Sequence, residues 1–388
     1  MNKELVVVGT QVRQAGADRN LLDDLRTASE QSLYVFAKAV MGMNKFVIHL
    51  HKPLCDWLSR VPPRKKLLLM PRDTFKTTMA RCLGMHITIQ QPATNPYFPG
   101  RDGRNIRLLY AAENERRALS RIGWIRRQYE SNALFRVLWP DHVWKSLADT
   151  STWTLSHFTL PRTEDYPEST FEAAGVDTGS TGGHYDVLIK DDLIGLRSRK
   201  QPKLMDAAIE WWKTSHSLSN DPQQSLDFVF GTRWASEDLY TWIGDNELSY
   251  DTRLYSAVSR PRDLPPTGDD DKDLLFPERL SRALLEDLKR KYGPFYYLNY
   301  ENRPFGEGTT AFTMELCGLF HLEGETVVFD TPEPTARVLS IIEEGNKAAK
   351  APEKRKPFYR TTPEERVELW QQMIQNWRKE RFHRLEIR

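Results

Sequence analysis

"MPRDTFKTTM", Met70 to Met79, directly follows the apolar run Leu67-Leu68-Leu69, and its reading decides the fold. A strand, a tight loop and a helix carrying G-x4-G-K-[ST] form a phosphate-binding loop, in which backbone N–H groups and a helix N-terminus cradle the anion. Lys76 and Thr77 take the last two places of that pattern, where the lysine reaches the phosphates and the hydroxyl binds Mg²⁺. Met70 and Phe75 stand where the two glycines are expected. Glycine relieves backbone crowding beside a phosphate. The motif alone is therefore weak, and an ordinary strand-to-helix turn with a lysine in it is the competing reading.

Two later segments bear on the choice. "VLIKDD" ends an apolar strand in two carboxylates: Asp191 suits a metal held through water, and Asp192 suits the orientation or deprotonation of an attacking water. "LDFVFGT" ends at Thr232, with Arg233 next, a hydroxyl and a guanidinium able to sense a terminal phosphate. Open α/β sheets bind ligands at the carboxyl ends of their strands, and all three motifs fall there. Three modest signals in the right order favour the phosphate loop.

The surrounding pattern agrees. Residues 20 to 42 have apolar positions at helical spacing after Asn20, "KFVIHLHKPLCDWLSRV" reads as a turn and a helix, and "KKLLLM" reads as a short buried strand. "IRLLYAA" (106–112) leads into the amphipathic "ENERRALSRIGWIRRQYESN", and strands return at 185–192 and 225–232 with helical segments between. Strands alternating with helices predict a mostly parallel sheet flanked by helices. "RPRDLPPTGDDDKD" reads as a linker, followed by a helical piece, "SRALLEDLKRKYGPFYYLNYENRP". A hairpin-like stretch from Thr309 to Phe329, a Lys/Pro-rich linker and a charged helix from Pro363 to about Phe382 complete the chain. No internal repeat is present.

Composition restricts the class. The 388 residues are 39% hydrophobic and 28% charged, enough for a large core or two to three domains. The net charge of +2 does not announce nucleic acid, although Arg116-Arg117, Arg126-Arg127, Lys200 to Lys203 and Lys354 to Lys356 are clusters able to touch phosphate or simply to solvate helix faces. Cys55, Cys82 and Cys317 make no CxxC pair, which predicts a reducing, intracellular setting. No apolar run is long enough for a signal peptide or a membrane span.

Taken together, these segments resemble the large terminase subunit of tailed bacteriophages over roughly residues 44 to 305. The stretches that carry the likeness are "HKPLCDWL", "MPRDTFKTT", "LLYAAENERRALSRIGWIRRQYESNALFRVLWPD", "ESTFEAAGVDTGSTGGHYDVLIKDDLI", "FGTRWASEDLY" and "LFPERLSRALLEDLKRKYGPFYYLNYENRP". The resemblance implies a P-loop NTPase of the RecA/ASCE-like kind that hydrolyses ATP with Mg²⁺ and drives double-stranded DNA into a procapsid. Met70, Pro71, Arg72, Asp73, Thr74, Phe75, Lys76, Thr77 and Thr78 would line the ATP. Arg72 matches the arginine after the loop's proline, Thr77 and Asp191 the metal ligands, Asp192 the water-activating carboxylate, and Thr232 and Arg233 the coupling motif. His51 falls in a nucleotide-proximal segment, where a satisfied core histidine is an equal reading. Arg197 and Arg199 are candidates for an arginine reaching across a subunit boundary.

The implied partners are DNA, a portal protein, a small terminase subunit and a separate nuclease, with a homo-oligomeric ring formed on the portal. The implied location is the host cytoplasm, with no membrane. The expected organisation is a helical segment at 1–43, an ATPase domain at 44–305, and an irregular tail at 306–388 with a linker and a terminal helix. A terminase nuclease needs carboxylates from several strands converging on two metals, and the tail offers only "TVVFD", ending at Asp330; no DNA cleavage is expected. A helicase-like ATPase, or a degenerate adaptor that has lost hydrolysis with the glycine at Phe75, are the alternatives.

Overall fold

The computed structural model describes residues 19–178, 182–259, 268–304, 320–323 and 326–329. The chain divides into two units, Met1–Pro304 and Phe305–Arg388. In the second, β8 (Phe320–Glu323) and β9 (Thr326–Phe329) form an antiparallel hairpin within the stretch read as hairpin-like. The terminal helix expected from Pro363, and Asp330, lie outside the described residues.

The first unit is an α/β fold built on a seven-stranded mixed sheet in the order β3-β4-β2-β5-β6-β1-β7. The strands are β1 (Lys65–Leu69), β2 (Leu108–Ala112), β3 (His157–Phe158), β4 (Phe171–Gly175), β5 (Val187–Asp191), β6 (Leu226–Gly231) and β7 (Asp251–Leu254). Every neighbouring pair is parallel except β3 with β4. The connecting helices used below are α1 (Arg19–Gln31), α2 (Ile48–Ser59), α3 (Lys76–Thr88), α4 (Glu115–Ser131), α5 (Pro202–Ser215), α6 (Leu239–Asn246), α7 (Arg282–Tyr292) and α8 (Pro294–Glu301).

Parallel strands covered on both faces are apolar throughout, and successive side chains enter opposite layers. Leu68, Leu108, Tyr110, Val187, Ile189, Phe228 and Phe230 join one core with Met79 and Leu83 of α3 and Ile122 and Ile125 of α4. Leu67, Leu69, Leu109, Leu188 and Val229 join the other with Trp211 and Trp212 of α5 and Ile243 of α6. The helical lead-in belongs to the first core through Leu25, Leu33, Phe36 and Phe46.

The sequence reading located β1, β2, β5 and β6. It did not identify β4, β3 or β7. The end of the stretch read as a linker is ordered: Asp270–Asp273 forms a short helix whose buried Asp273 accepts from Arg282 Nη2 at 2.7 Å. The single helical piece expected from Ser281 is two helices, parted at Gly293, where φ is +50° and Pro294 begins α8. Among the described residues no helix is long and apolar enough to cross a membrane.

Candidate active site

Because β1, β5 and β6 are parallel neighbours, their carboxyl ends share one edge of the sheet. Leu69 pairs with Gly231, and Phe230 with Asp191, so Met70, Thr232 and Asp192 leave that edge together. A cleft of about 530 Å³ opens above them, lined by the loop Pro71–Thr77, Arg117, Arg121, Asp192, Ile194, Thr232, Trp234, Arg279 and Tyr300. Among these, five cationic side chains face two carboxylates, so the cleft suits an anion.

The loop answers the question of its missing glycines. Phe75 is the residue before α3 and has φ +61° and ψ +22°, the left-handed conformation for which glycine is favoured; Asp73 has φ +66°. Holding a side chain there costs about 1–2 kcal/mol. The surroundings offset that cost: the Phe75 ring lies 6.0 Å from Phe46, 6.0 Å from His51 and 6.1 Å from Phe276, with the Arg279 guanidinium 4.6 Å from its centroid. The backbone of a glycine is kept and the side chain is anchored in the core below.

Phe75 supplies no side-chain cap to α3, and the N–H groups from Asp73 to Thr78 have no acceptor among the described residues. An uncapped helix N-terminus attracts anions. Lys76, 8% exposed, adds its own charge at the first helical position. Its ammonium donates to Thr232 Oγ1 at 2.8 Å and pairs with Asp192 Oδ1 at 3.3 Å. Thr232 donates onward to the Met70 carbonyl at 3.1 Å, which ties the ends of β1 and β6 together. Asp192 itself has φ +53°.

One step deeper, Thr77 Oγ1 donates to Asp191 Oδ1 at 3.1 Å, and Tyr110 OH and Arg121 Nε donate to Oδ2 at 3.0 and 3.1 Å. Burial pushes the Asp191 carboxyl above its usual range and the adjacent Asp192 charge adds to this, while Arg121 and Lys76 oppose it. A divalent cation would relieve the same strain. Among the described residues no group of three His, Cys, Asp or Glu forms a metal cage; Thr77 and Asp191 are two neighbouring oxygen donors of the kind that could hold Mg²⁺ together with water.

The other expected residues fall unevenly. Arg72 lines the cleft with its guanidinium 5.2 Å from the Trp234 ring centroid. Asp73 meets Arg279 at 3.3 Å, and the Thr74 hydroxyl donates to the Pro71 carbonyl at 2.7 Å. Met70 is fully buried, and Thr78 accepts from Arg81 at 3.3 Å; neither lines the cleft. Arg233 does not line it either. Its guanidinium donates to Asp238 Oδ1 and Oδ2 at 3.1 and 3.2 Å and to Thr241 Oγ1 at 2.5 Å, fastening the start of α6. Gly231 is required on the same grounds, since a Cβ there would stand 2.2 Å from the Tyr240 ring of α6.

His51 is a buried histidine of the core. Its Nδ1 accepts from the Val47 N–H at 2.9 Å, Nε2 faces the Thr74 carbonyl at 3.4 Å, and burial lowers its pKa to about 4. It supports the loop from below and remains neutral. Arg197 lies exposed on the short helix Leu196–Lys200, and Arg199 stacks on Phe295 at 5.2 Å; both are outside the cleft. The reading of the sequence missed Arg121 and Arg279. Arg121 stands one helical turn after Arg117, so the i, i+4 spacing was the available signal. No family model matches the chain, and no curated protein matches it.

Proposed function

We propose that the chain is an ATPase that moves double-stranded DNA into a viral procapsid, the role of the terminase large subunits its motifs resemble. The observation that carries the hydrolytic part is the placement of Lys76 Nζ at an uncapped helix N-terminus, between Thr232 and Asp192, with Thr77 bonded to Asp191 behind it. In this reading the N–H groups of Asp73 to Thr78 and the Lys76 ammonium bind the β- and γ-phosphates of ATP. Thr77 and Asp191 would hold Mg²⁺, which neutralises charge on the phosphates.

Asp192 orients the attacking water and accepts its proton. It lines the cleft, whereas Asp191 does not. Thr232 holds Lys76 at the phosphate, and Arg72 adds positive charge to the cleft it lines. Arg233 acts by position, since it fixes the turn that carries Thr232. The partners proposed are DNA, the portal, a small terminase subunit and a separate nuclease, in a ring assembled on the portal, with the work done in the host cytoplasm.

ATP turnover by the purified chain, measured alone, with long double-stranded DNA, and with DNA plus portal protein, tests the proposal. Stimulation by DNA that is indifferent to sequence and weakens steeply with salt supports a motor gripping the phosphate backbone. Binding without turnover would favour the adaptor, for which the residue at Phe75 is the one specific argument. DNA stimulation accompanied by strand separation would favour the helicase-like alternative.

A further inference from the structure

Asp191 is 0% exposed and does not line the cleft, yet two of the three groups that bind its carboxylate do. Thr77 and Arg121 therefore stand between the carboxylate and the cleft. Tyr110, the third donor, is fully buried in the sheet. Both oxygens of Asp191 are already engaged by protein donors: Oδ1 by Thr77, and Oδ2 by Tyr110 and Arg121. A cation that takes up this carboxylate must share or displace one of them. Arg121 is the donor best able to leave, because its charge is the one a metal replaces and its side chain is 23% exposed toward the cleft. One turn earlier on α4, Arg117 is pinned by Glu113 at 2.8 Å and also lines the cleft.

On the reading of the cleft as a nucleotide site, we propose that Arg121 guards Asp191 and, when a divalent cation takes that carboxylate, turns its guanidinium into the cleft to contact the phosphates. The charge on Asp191 is thus matched by Arg121 or by the metal in turn. The freed guanidinium would stabilise charge that develops on the transferred phosphoryl group, the task for which planar five-donor arginine is suited. A purely structural Arg121 predicts something different: its loss would weaken metal binding, because Asp191 would lose the partner that orients it.

The test measures Mn²⁺ binding by electron paramagnetic resonance, in the presence of a non-hydrolysable ATP analogue, for the full chain and for Arg121→Ala, alongside steady-state ATP turnover. The expected result is Mn²⁺ bound by Arg121→Ala at least as tightly as by the unaltered chain, with kcat lowered on the order of 100-fold and KM little changed. Weaker Mn²⁺ binding in Arg121→Ala, or an unchanged kcat, overturns the proposal. If Arg121→Ala does not fold, Arg121→Lys keeps the charge without the fork: Mn²⁺ binding equal to that of the unaltered chain with reduced kcat supports the proposal, and unchanged kcat overturns it. Failure of the unaltered chain to bind Mn²⁺ with the analogue overturns the nucleotide reading itself, and this inference with it.

Discussion

Two turns leave the same edge of the sheet side by side, one after β1 and one after β6, and they treat their cations oppositely. The first presents Lys76 to the cleft with one hydroxyl and one carboxylate as partners, at 2.8 and 3.3 Å. The second folds Arg233 away into the N-terminal cap of α6, where Asp238, Thr241 and the carbonyls of Ala235 and Ser236 accept from it. A cation with few partners at a helix N-terminus invites an anion, whereas a guanidinium already filled with acceptors stabilises a turn. The difference separates a site from its scaffold.

The sharpest way to break this comparison is to remove charge on the cleft side. Asp192→Asn is expected to bind Mg²⁺ and nucleotide but to hydrolyse on the order of 100-fold more slowly, through loss of the carboxylate proposed to handle water. Asp191→Asn is expected to raise the Mg²⁺ concentration needed for half-maximal turnover. Identical Mg²⁺ titrations for the two variants would show that the carboxylates do not divide the work as described.

On the scaffold side, Arg233→Ala is expected to lower stability by about 2–3 kcal/mol, because it strips the counter-ion from a buried Asp238. Arg233→Lys should recover little, since an ammonium cannot satisfy the same fork of acceptors. Denaturant titration measures both. A variant that loses hydrolysis while keeping full stability would place Arg233 in the cleft after all.

The turn after β1 rests on a buried histidine, His51. His51 titrates at about 4 when folded, against 6.5 when unfolded. Below 6.5 the unfolded chain takes up a proton that the folded chain refuses, so stability falls as pH drops from 6.5 toward 4. For His51 the loss is about 2 kcal/mol at pH 5. His86, also lowered to about 4 by burial, adds its own share. Denaturation of the unaltered chain and of His51→Gln at pH 7, 6 and 5 isolates the loop's part; parallel slopes would exclude it.

The smallest effect probes Phe75. At φ +61° glycine is preferred to alanine, so Phe75→Gly is expected to be more stable than Phe75→Ala by about 1 kcal/mol, the reverse of the usual order inside helices. Both should be less stable than the unaltered chain, having lost the ring's contacts. If Phe75→Ala is the more stable of the two, the loop does not hold the left-handed conformation.

How far these features were legible in the sequence depends on what each letter constrains. The apolar runs of β1, β2, β5 and β6 announced themselves because both faces of a parallel strand are buried. β4, "FEAAG", has two alanines and a glycine, with no strand composition to notice, and β7, "DTRL", is short with alternate residues exposed. Lys76, Thr77, Asp191 and Asp192 stood out because their types and order suit phosphate and metal chemistry, and the fold does bring them to one sheet edge. Phe75 departs from the motif by letter, yet the chain holds there the left-handed conformation that glycine favours, which no letter announces. Arg233 misled: its letter matched, but the acceptors of α6 lie in residues that follow it and decide where the guanidinium goes. Arg279 comes from beyond the Asp-rich segment, and only the folded chain brings it to Phe75.

The turn after β1 is proposed to bind the phosphates of a nucleotide through Lys76. Calorimetric titration of Mg²⁺·ATP into the unaltered chain and into Lys76→Ala tests it most directly. Saturable binding at one site per chain, weakened at least about tenfold in Lys76→Ala with the fold intact by circular dichroism, is the predicted result. Equal affinity in both proteins, or no binding to the unaltered chain, would contradict it.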